Sequence, residues 1–204
     1  MTLSIVTTIS HHPLIQKLAD NLEISMQKAG VETPLTRVVL PLSGADAFGT
    51  SEYWEMLKHS KRAFYRLLQE QSRILFVDSD VVFLKNPVEE MESLLDVYDL
   101  VCMTDMPSSL GAFSAGFFGI TTDLRGVFSR DDGECDQAAL RSLVAEKGVK
   151  AYMLSPSKYP NGCFWYQYHR SIDPVVIHYN WLGRLEEKIE KMKEFGHWYL
   201  ESEP

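Results

Sequence analysis

Two aspartates stand at positions 78 and 80, between the apolar run Ile74–Val77 and a second apolar run, Val81–Leu84. A continuous apolar run of this length suits a strand buried on both faces in a parallel sheet. The spacing then puts both carboxylates at the carboxyl end of that strand, where open α/β sheets bind ligands. Two carboxylates side by side repel each other and lose solvation. A hard divalent cation offsets both costs, and a few carboxylate oxygens completed by phosphate describe a Mg²⁺ or Mn²⁺ diphosphate site. The bland alternative is a turn in which Asp78, Ser79 and Asp80 cap a helix or face water.

Other residues add to that chemistry. Lys61 falls inside the apolar line Trp54, Leu57, Phe64, Tyr65, Leu68 of an expected helix, so it must snorkel or meet an anion; Arg62 is its neighbour and could serve instead. His178 closes the short apolar run Val175–Ile177 and either adds a nitrogen ligand suited to Mn²⁺ or is a satisfied structural histidine. The segment from Gly111 to Gly119, with Ser114 and Gly116 inside it, is rich in small residues. It allows close backbone approach to a ligand, or tight strand packing. Asp136 and Gln137 sit just inside a helix start, where an aspartate is also a favourable dipole partner. Pro160, Asn161 and Gly162 form a turn signal.

The elements that must position these residues follow from periodicity. Strands are expected at 3–8, 35–40, 74–77, 81–84, 100–103, 117–120, 151–154 and 174–178. Helices are expected at 13–29, with Leu14, Leu18, Leu22 and Met26 at spacing four and Gly30 as the stop, and at 52–70 with Ser51 as the cap. Further helices are expected at 88–95, 134–147 and 184–195. Strands alternating with helices imply an α/β fold with a mixed, mostly parallel central sheet flanked by helices. No repeat or low-complexity segment divides the chain, so residues 1–204 read as one domain.

Composition bounds the function. Twenty basic residues against 28 acidic give a net charge of -8, which argues against nucleic acid as the main partner. Three cysteines without CxxC spacing exclude a disulfide framework and speak for a reducing compartment. No apolar run approaches a membrane span, and the N-terminus lacks a signal-peptide pattern. A cytoplasmic location is the expectation. The ending Glu201–Pro204 reads as linker, so the domain is expected to be cut from a longer chain.

The order of these pieces resembles the GT-A (Rossmann-like) glycosyltransferases, specifically the nucleotide-diphospho-sugar transferase family, over roughly residues 3–198. The matching pieces are Lys61, Val77–Pro87, Phe113–Phe117, Asp136 with Gln137, Pro160–Gly162, and His178–Gly183 followed by Lys188 and Trp198. The resemblance implies that Asp78, Asp80 and His178 bind Mn²⁺ or Mg²⁺, with Asp80 the more direct carboxylate. It implies that Lys188 and the Gly183 turn meet the diphosphate, with Asn180 beside them, and that Lys61 reaches donor sugar or phosphate. Thr7, Thr8 and the Ser10–His12 loop, His11 included, would line the nucleoside pocket. Asp136 and Gln137 would lie near donor sugar and acceptor, with Asp136 a base or oxocarbenium stabiliser. Loop 41–50 and segment 105–114 are candidate lids. The family often carries Asn where Ser114 stands, and the acceptor-side additions of larger members are missing. Compact members of this kind occur in algal viruses that glycosylate their capsids.

The implied function is transfer of a sugar from a nucleotide diphosphate sugar, UDP-linked by preference, to a hydroxyl of a glycan or glycoprotein. A phosphatase using a strand-end Asp-x-Asp, and a non-catalytic nucleotide-sugar binding module, are the competing readings.

Overall fold

A computed structural model describes residues 3–43, 49–105, 112–121 and 136–200, without the side chains at 65, 69, 136, 139, 143, 146 and 147. Along the chain run β1 (Ser4–Ile9), α1 (Pro13–Lys28), β2 (Leu35–Val39), α2 (Ser51–Glu70), β3 (Arg73–Val77), β4 (Val81–Phe83) and α3 (Val88–Leu95). There follow β5 (Leu100–Thr104), β6 (Phe113–Thr121), α4 (Asp136–Lys147), β7 (Ala151–Met153), α5 (Gly162–Tyr168), β8 (Val176–His178) and α6 (Leu185–Glu194). Six strands form a mixed sheet in the order β2-β1-β3-β6-β5-β7. Strand β6 runs antiparallel to both neighbours, β3 and β5, and the other pairings are parallel. The ends of β1, β3 and β5 therefore share one edge of the sheet.

Local chemistry sets the elements. Helix α1 starts on Pro13, with His12 Nδ1 accepting from the Leu14 amide at 3.2 Å. It buries Ile15, Leu18, Ala19, Leu22 and Met26, and Gly30 follows it in the left-handed region at φ 74°. Helix α2 is capped by Thr50, whose hydroxyl accepts from Tyr53 N at 3.2 Å; Ser51, the expected cap, is instead its first residue. Trp54 lies off the buried line of α2, at 43% exposed, whereas Phe64, Leu68 and Lys61 lie on it.

The sheet is covered on both faces, which explains the unbroken apolar run of β3. Ile74 and Phe76 face one cluster with Phe64, Leu68 and Phe118, while Leu75 and Val77 face another with Phe117, Met91 and Tyr159. Phe64, Phe76 and Phe118 meet at ring-centroid distances of 5.2–5.7 Å, a spacing that adds to area burial alone.

Three features depart from the sequence reading. Strands β4 and β8 leave the main sheet and pair antiparallel with each other. Strand β6 is nine residues long: Phe117–Thr121 pair with β3, while its first residue, Phe113, pairs with Thr104 of β5. Residues 162–168 form a helix, capped by Asn161 Oδ1 accepting from Phe164 N at 3.0 Å; its aromatic composition favours strand by propensity, and burial of Trp165 overrides it. Among the described residues no helix is long and apolar enough to cross a membrane.

Replacing Phe118 with Ala should lower stability by about 3–5 kcal/mol, because it empties the centre of the aromatic cluster. Urea denaturation measures it; a loss below about 1 kcal/mol would contradict that cluster's weight in the fold.

Candidate functional site

The site begins at the carboxyl end of β3. The Asp78 amide donates to Gly116 O at 2.8 Å, and Val81 N donates back to Asp78 O at 3.1 Å, so residues 78–81 turn tightly at the sheet edge. Strand β4 then leaves this turn and pairs with β8, setting Val81 opposite His178. Tyr179 N donates to Asp80 O at 3.0 Å and His178 N to Pro160 O at 3.1 Å. Backbone hydrogen bonds on both sides of His178 thus fix its position.

The side chains converge. His178 Nε2 lies 3.2 Å from Asp80 Oδ1 and 3.6 Å from Asp78 Oδ2. Lys188 Nζ, from the first turns of α6, donates to the other Asp80 oxygen at 2.6 Å. Asp80 and His178 are buried, whereas the Asp78 side chain is 43% exposed. Burial opposes the ionised form of Asp80. The charge of Lys188, then that of His178, and their hydrogen bonds overcome it and hold the carboxyl far below the usual carboxylate range. Burial likewise opposes the imidazolium of His178, and Asp80, then Asp78, raise its pKa above the ordinary value.

Asp78, Asp80 and His178 offer two carboxylates and one imidazole with ligand atoms all within 4.8 Å of one another. This mixed oxygen and nitrogen set fits Mn²⁺, and Mg²⁺ less well because of the imidazole. The half-open Asp78 gives the set a side accessible to solvent.

Solved structures with the same architecture have glycosyl-transfer names. A glycosyltransferase involved in glycosylation of the PBCV-1 major capsid aligns at TM-score 0.61 and 12% identity, over 94% of this chain and 99% of its own. The galactosyltransferase LgtC, solved with donor and acceptor sugar analogs, aligns at 0.61 and 14% identity, over 98% and 97%. Mouse xyloside xylosyltransferase 1 aligns at 0.55 and 12% identity, over 89% and 98%. No curated protein sequence matches the chain. Residues 20–115 match the family model of the nucleotide-diphospho-sugar transferases. The fold is that of the GT-A glycosyltransferases.

Within this GT-A frame the other expected residues separate. Thr7, Thr8 and His11 lie at the carboxyl end of β1 and just beyond. The Thr7 hydroxyl is buried without a hydrogen-bond partner, Thr8 Oγ1 lies 3.0 Å from Ser60 Oγ, and His11 is exposed. Lys61 is buried on α2 beside exposed Arg62. Ser79 is half-buried in the turn. Ser114 Oγ accepts from the Gly116 amide at 3.3 Å.

Gly116 has a specific reason to be glycine. A Cβ there would stand 2.0 Å from His178 Cε1 and 2.7 Å from Asp78 Oδ2. What approaches Gly116 closely is the pair of side chains His178 and Asp78 of the acidic site. The Gly183 and Arg184 amides both donate to Glu187 Oε2, at 3.1 and 3.2 Å. Lys188, which the resemblance assigned to diphosphate, lies on Asp80.

Asn180 and Gln137 meet at Asp105, which the sequence reading held only as the start of a candidate lid. Asp105, following β5, accepts from Gln137 Nε2 at 2.9 Å and from Asn180 Nδ2 at 3.3 Å. Asn180 Oδ1 in turn accepts from Gly162 N at 2.7 Å. Asn161, also unassigned beyond its turn, is fully buried and donates to Thr104 O at 2.8 Å. Asp105 follows the apolar run Leu100–Met103 with Thr104 between them, so a strand-end signal close to that of Asp78 was available for it. The Asp136 side chain, and residues 44–48 and 106–111 of the expected lids, lie outside the described residues.

Gly116→Ala should displace His178 and cost about 1–3 kcal/mol of stability. Gly119→Ala meets the flexible Met91 Cε at 2.9 Å and should cost less. Denaturation of the two variants compares them; equal losses would show that the crowding at Gly116 is not specific to the site.

Proposed function

We propose that this chain is a divalent-cation-dependent glycosyltransferase that moves a sugar from a UDP-sugar to a hydroxyl of a glycan or glycoprotein. The observation that carries this reading is the convergence of Asp78, Asp80 and His178 at the end of β3 in a GT-A fold. The names of the similar structures, one solved with donor and acceptor sugar analogs, support the class of reaction.

Asp78, Asp80 and His178 would hold Mn²⁺, or Mg²⁺. Bound there, the cation would supply Lewis-acid stabilisation of the departing nucleoside diphosphate. Lys188 and Lys61 add positive charge where the leaving group gains negative charge. In a chain of net charge -8, such local cations must offset repulsion of an anionic donor. Thr7, Thr8 and His11, at the β1 end of the sheet edge, serve the nucleoside, with Arg62 alongside Lys61. Ser79, Ser114 and Gly116 flank the donor beside the metal ligands. Asn180 and Gly183 order the segment between His178 and Lys188. Asp136 and Gln137 act near the donor sugar and acceptor, with Asp136 as base or oxocarbenium stabiliser. Action in the cytoplasm belongs to the same proposal, and the buried unbridged thiol of Cys102 suits a reducing compartment.

UDP or a UDP-sugar at about 100 times its dissociation constant, with Mn²⁺, should stabilise the fold by about 2.7 kcal/mol. EDTA should remove the shift. Asp80→Asn should lower sugar transfer by ~100-fold or more. Near-normal turnover in that variant would refute the metal assignment, and absence of any nucleotide-dependent shift would refute the transferase reading.

Asp80, then Asp78, hold the proton on His178 to a higher pH than an ordinary imidazole keeps it. A ligating imidazole must be neutral, so at about pH 6, below the ordinary histidine value, Mn²⁺ binding should release a proton, and it should tighten as pH rises. Calorimetry in two buffers of different ionisation enthalpy measures the release. A binding enthalpy independent of the buffer would show that His178 is not a ligand.

A further inference from the structure

Trp181 is held in an unusual way. Its backbone lies in the left-handed region, φ 64°, where bulky residues rarely sit. Its indole N–H donates to the backbone oxygen of Asp105 at 3.1 Å. The residue nevertheless remains 51% exposed. A large aromatic group is thus pinned by its polar tip to the end of β5 while half of its surface faces solvent. Burial does not account for this placement, and the sequence motifs assigned no role to Trp181.

Its position along the sheet edge is informative. The strand order β2-β1-β3-β6-β5-β7 sets the end of β1 on one side of the acidic site at β3 and the end of β5 on the other. Trp181 is tied to the β5 side and lies three residues after the ligand candidate His178. Neighbouring Asn180 bonds the Asp105 carboxylate, so two consecutive residues attach this segment to one strand end. With the nucleoside towards β1 and the diphosphate at β3, the β5 side is where the carbohydrate portion of the reaction must gather.

We propose that the exposed face of Trp181 is a stacking platform for a pyranose ring of the acceptor, an inference that rests on the glycosyltransferase reading. The C–H groups on one face of a pyranose carry slight positive charge, and an indole face is negative. The fixed N–H leaves that face preorganised, so little conformational freedom is lost on binding. The exposure selects acceptor over donor. A reactive donor must be shielded from water, whereas the acceptor arrives from solvent and extends back into it.

The test uses the intact chain and methyl glycosides of glucose, galactose, mannose, xylose, rhamnose and N-acetylglucosamine as probes. Saturation-transfer NMR is recorded with and without UDP and Mn²⁺. At least one glycoside should receive saturation on the protons of one ring face. Trp181→Asn removes the aromatic face but suits left-handed backbone, and it should reduce that signal about fivefold or more. Trp181→Phe keeps an aromatic face and should retain most of it. UDP binding in the presence of Mn²⁺, titrated separately, should be alike in all three proteins. The proposal is overturned if no glycoside is saturated, if Trp181→Asn leaves the pattern intact, or if that variant loses UDP affinity in parallel, since the ring would then serve the donor. Failure of UDP to bind the unaltered chain would remove the transferase reading, while the glycoside comparison would still decide the role of Trp181.

Discussion

The arrangement depends on one buried carboxylate. Asp80 is almost wholly removed from water and yet stays ionised, because Lys188 occupies one of its oxygens and His178 the other. Removing either partner would leave a charge in a poorly solvated position, which is costly. The three groups come from the turn after β3, the end of β8 and helix α6. The charge cluster is therefore also a tertiary clasp, joining the C-terminal part of the chain to the edge of the sheet.

The small β4–β8 ladder makes that clasp possible. It leaves the main sheet immediately after Asp80 and returns His178 to the residue next to it. Behind it, Val82, Ile177, Tyr179, Trp165, Ile189 and Met192 form a separate apolar cluster, which anchors α6 and so Lys188. In front, Gly116 removes the side chain that would otherwise occupy the space of His178. Packing and electrostatics thus require each other: the apolar cluster brings the charges together, and the paired charges tolerate burial only because that geometry is satisfied.

A second polar centre lies on the same edge. Asp105 receives amides from α4 and from the segment after β8, and its carbonyl holds Trp181. Strand β6, antiparallel between β3 and β5, sets the spacing between the two centres. The edge therefore presents a row of strand ends with distinct chemistry: hydroxyls at β1, carboxylates and imidazole at β3 and β8, and amides with an aromatic face at β5.

Much of this was legible from local sequence. The apolar run of β3 and the aspartates after it locate the strand end, since a strand covered on both faces carries that pattern. The helices α1 and α2 follow from periodicity and caps, with Thr50 rather than Ser51 capping α2 because its hydroxyl reaches the Tyr53 amide, and α3 follows the Asn86-Pro87 punctuation. Lys61, expected from its place in an apolar line to snorkel or meet an anion, is buried on α2. By contrast, the pairing of β4 with β8, the reason for Gly116, the joining of Asn180 and Gln137 through Asp105, and the left-handed Trp181 have no local signature. They depend on distances between residues far apart in the chain, which hydrophobic periodicity does not encode. The sequence by itself determined that Asp78 and Asp80 follow a buried strand and that His178 closes another short apolar run. Tertiary structure decided which of them meet, because their meeting is set by how the β4–β8 ladder and its apolar cluster pack against the sheet.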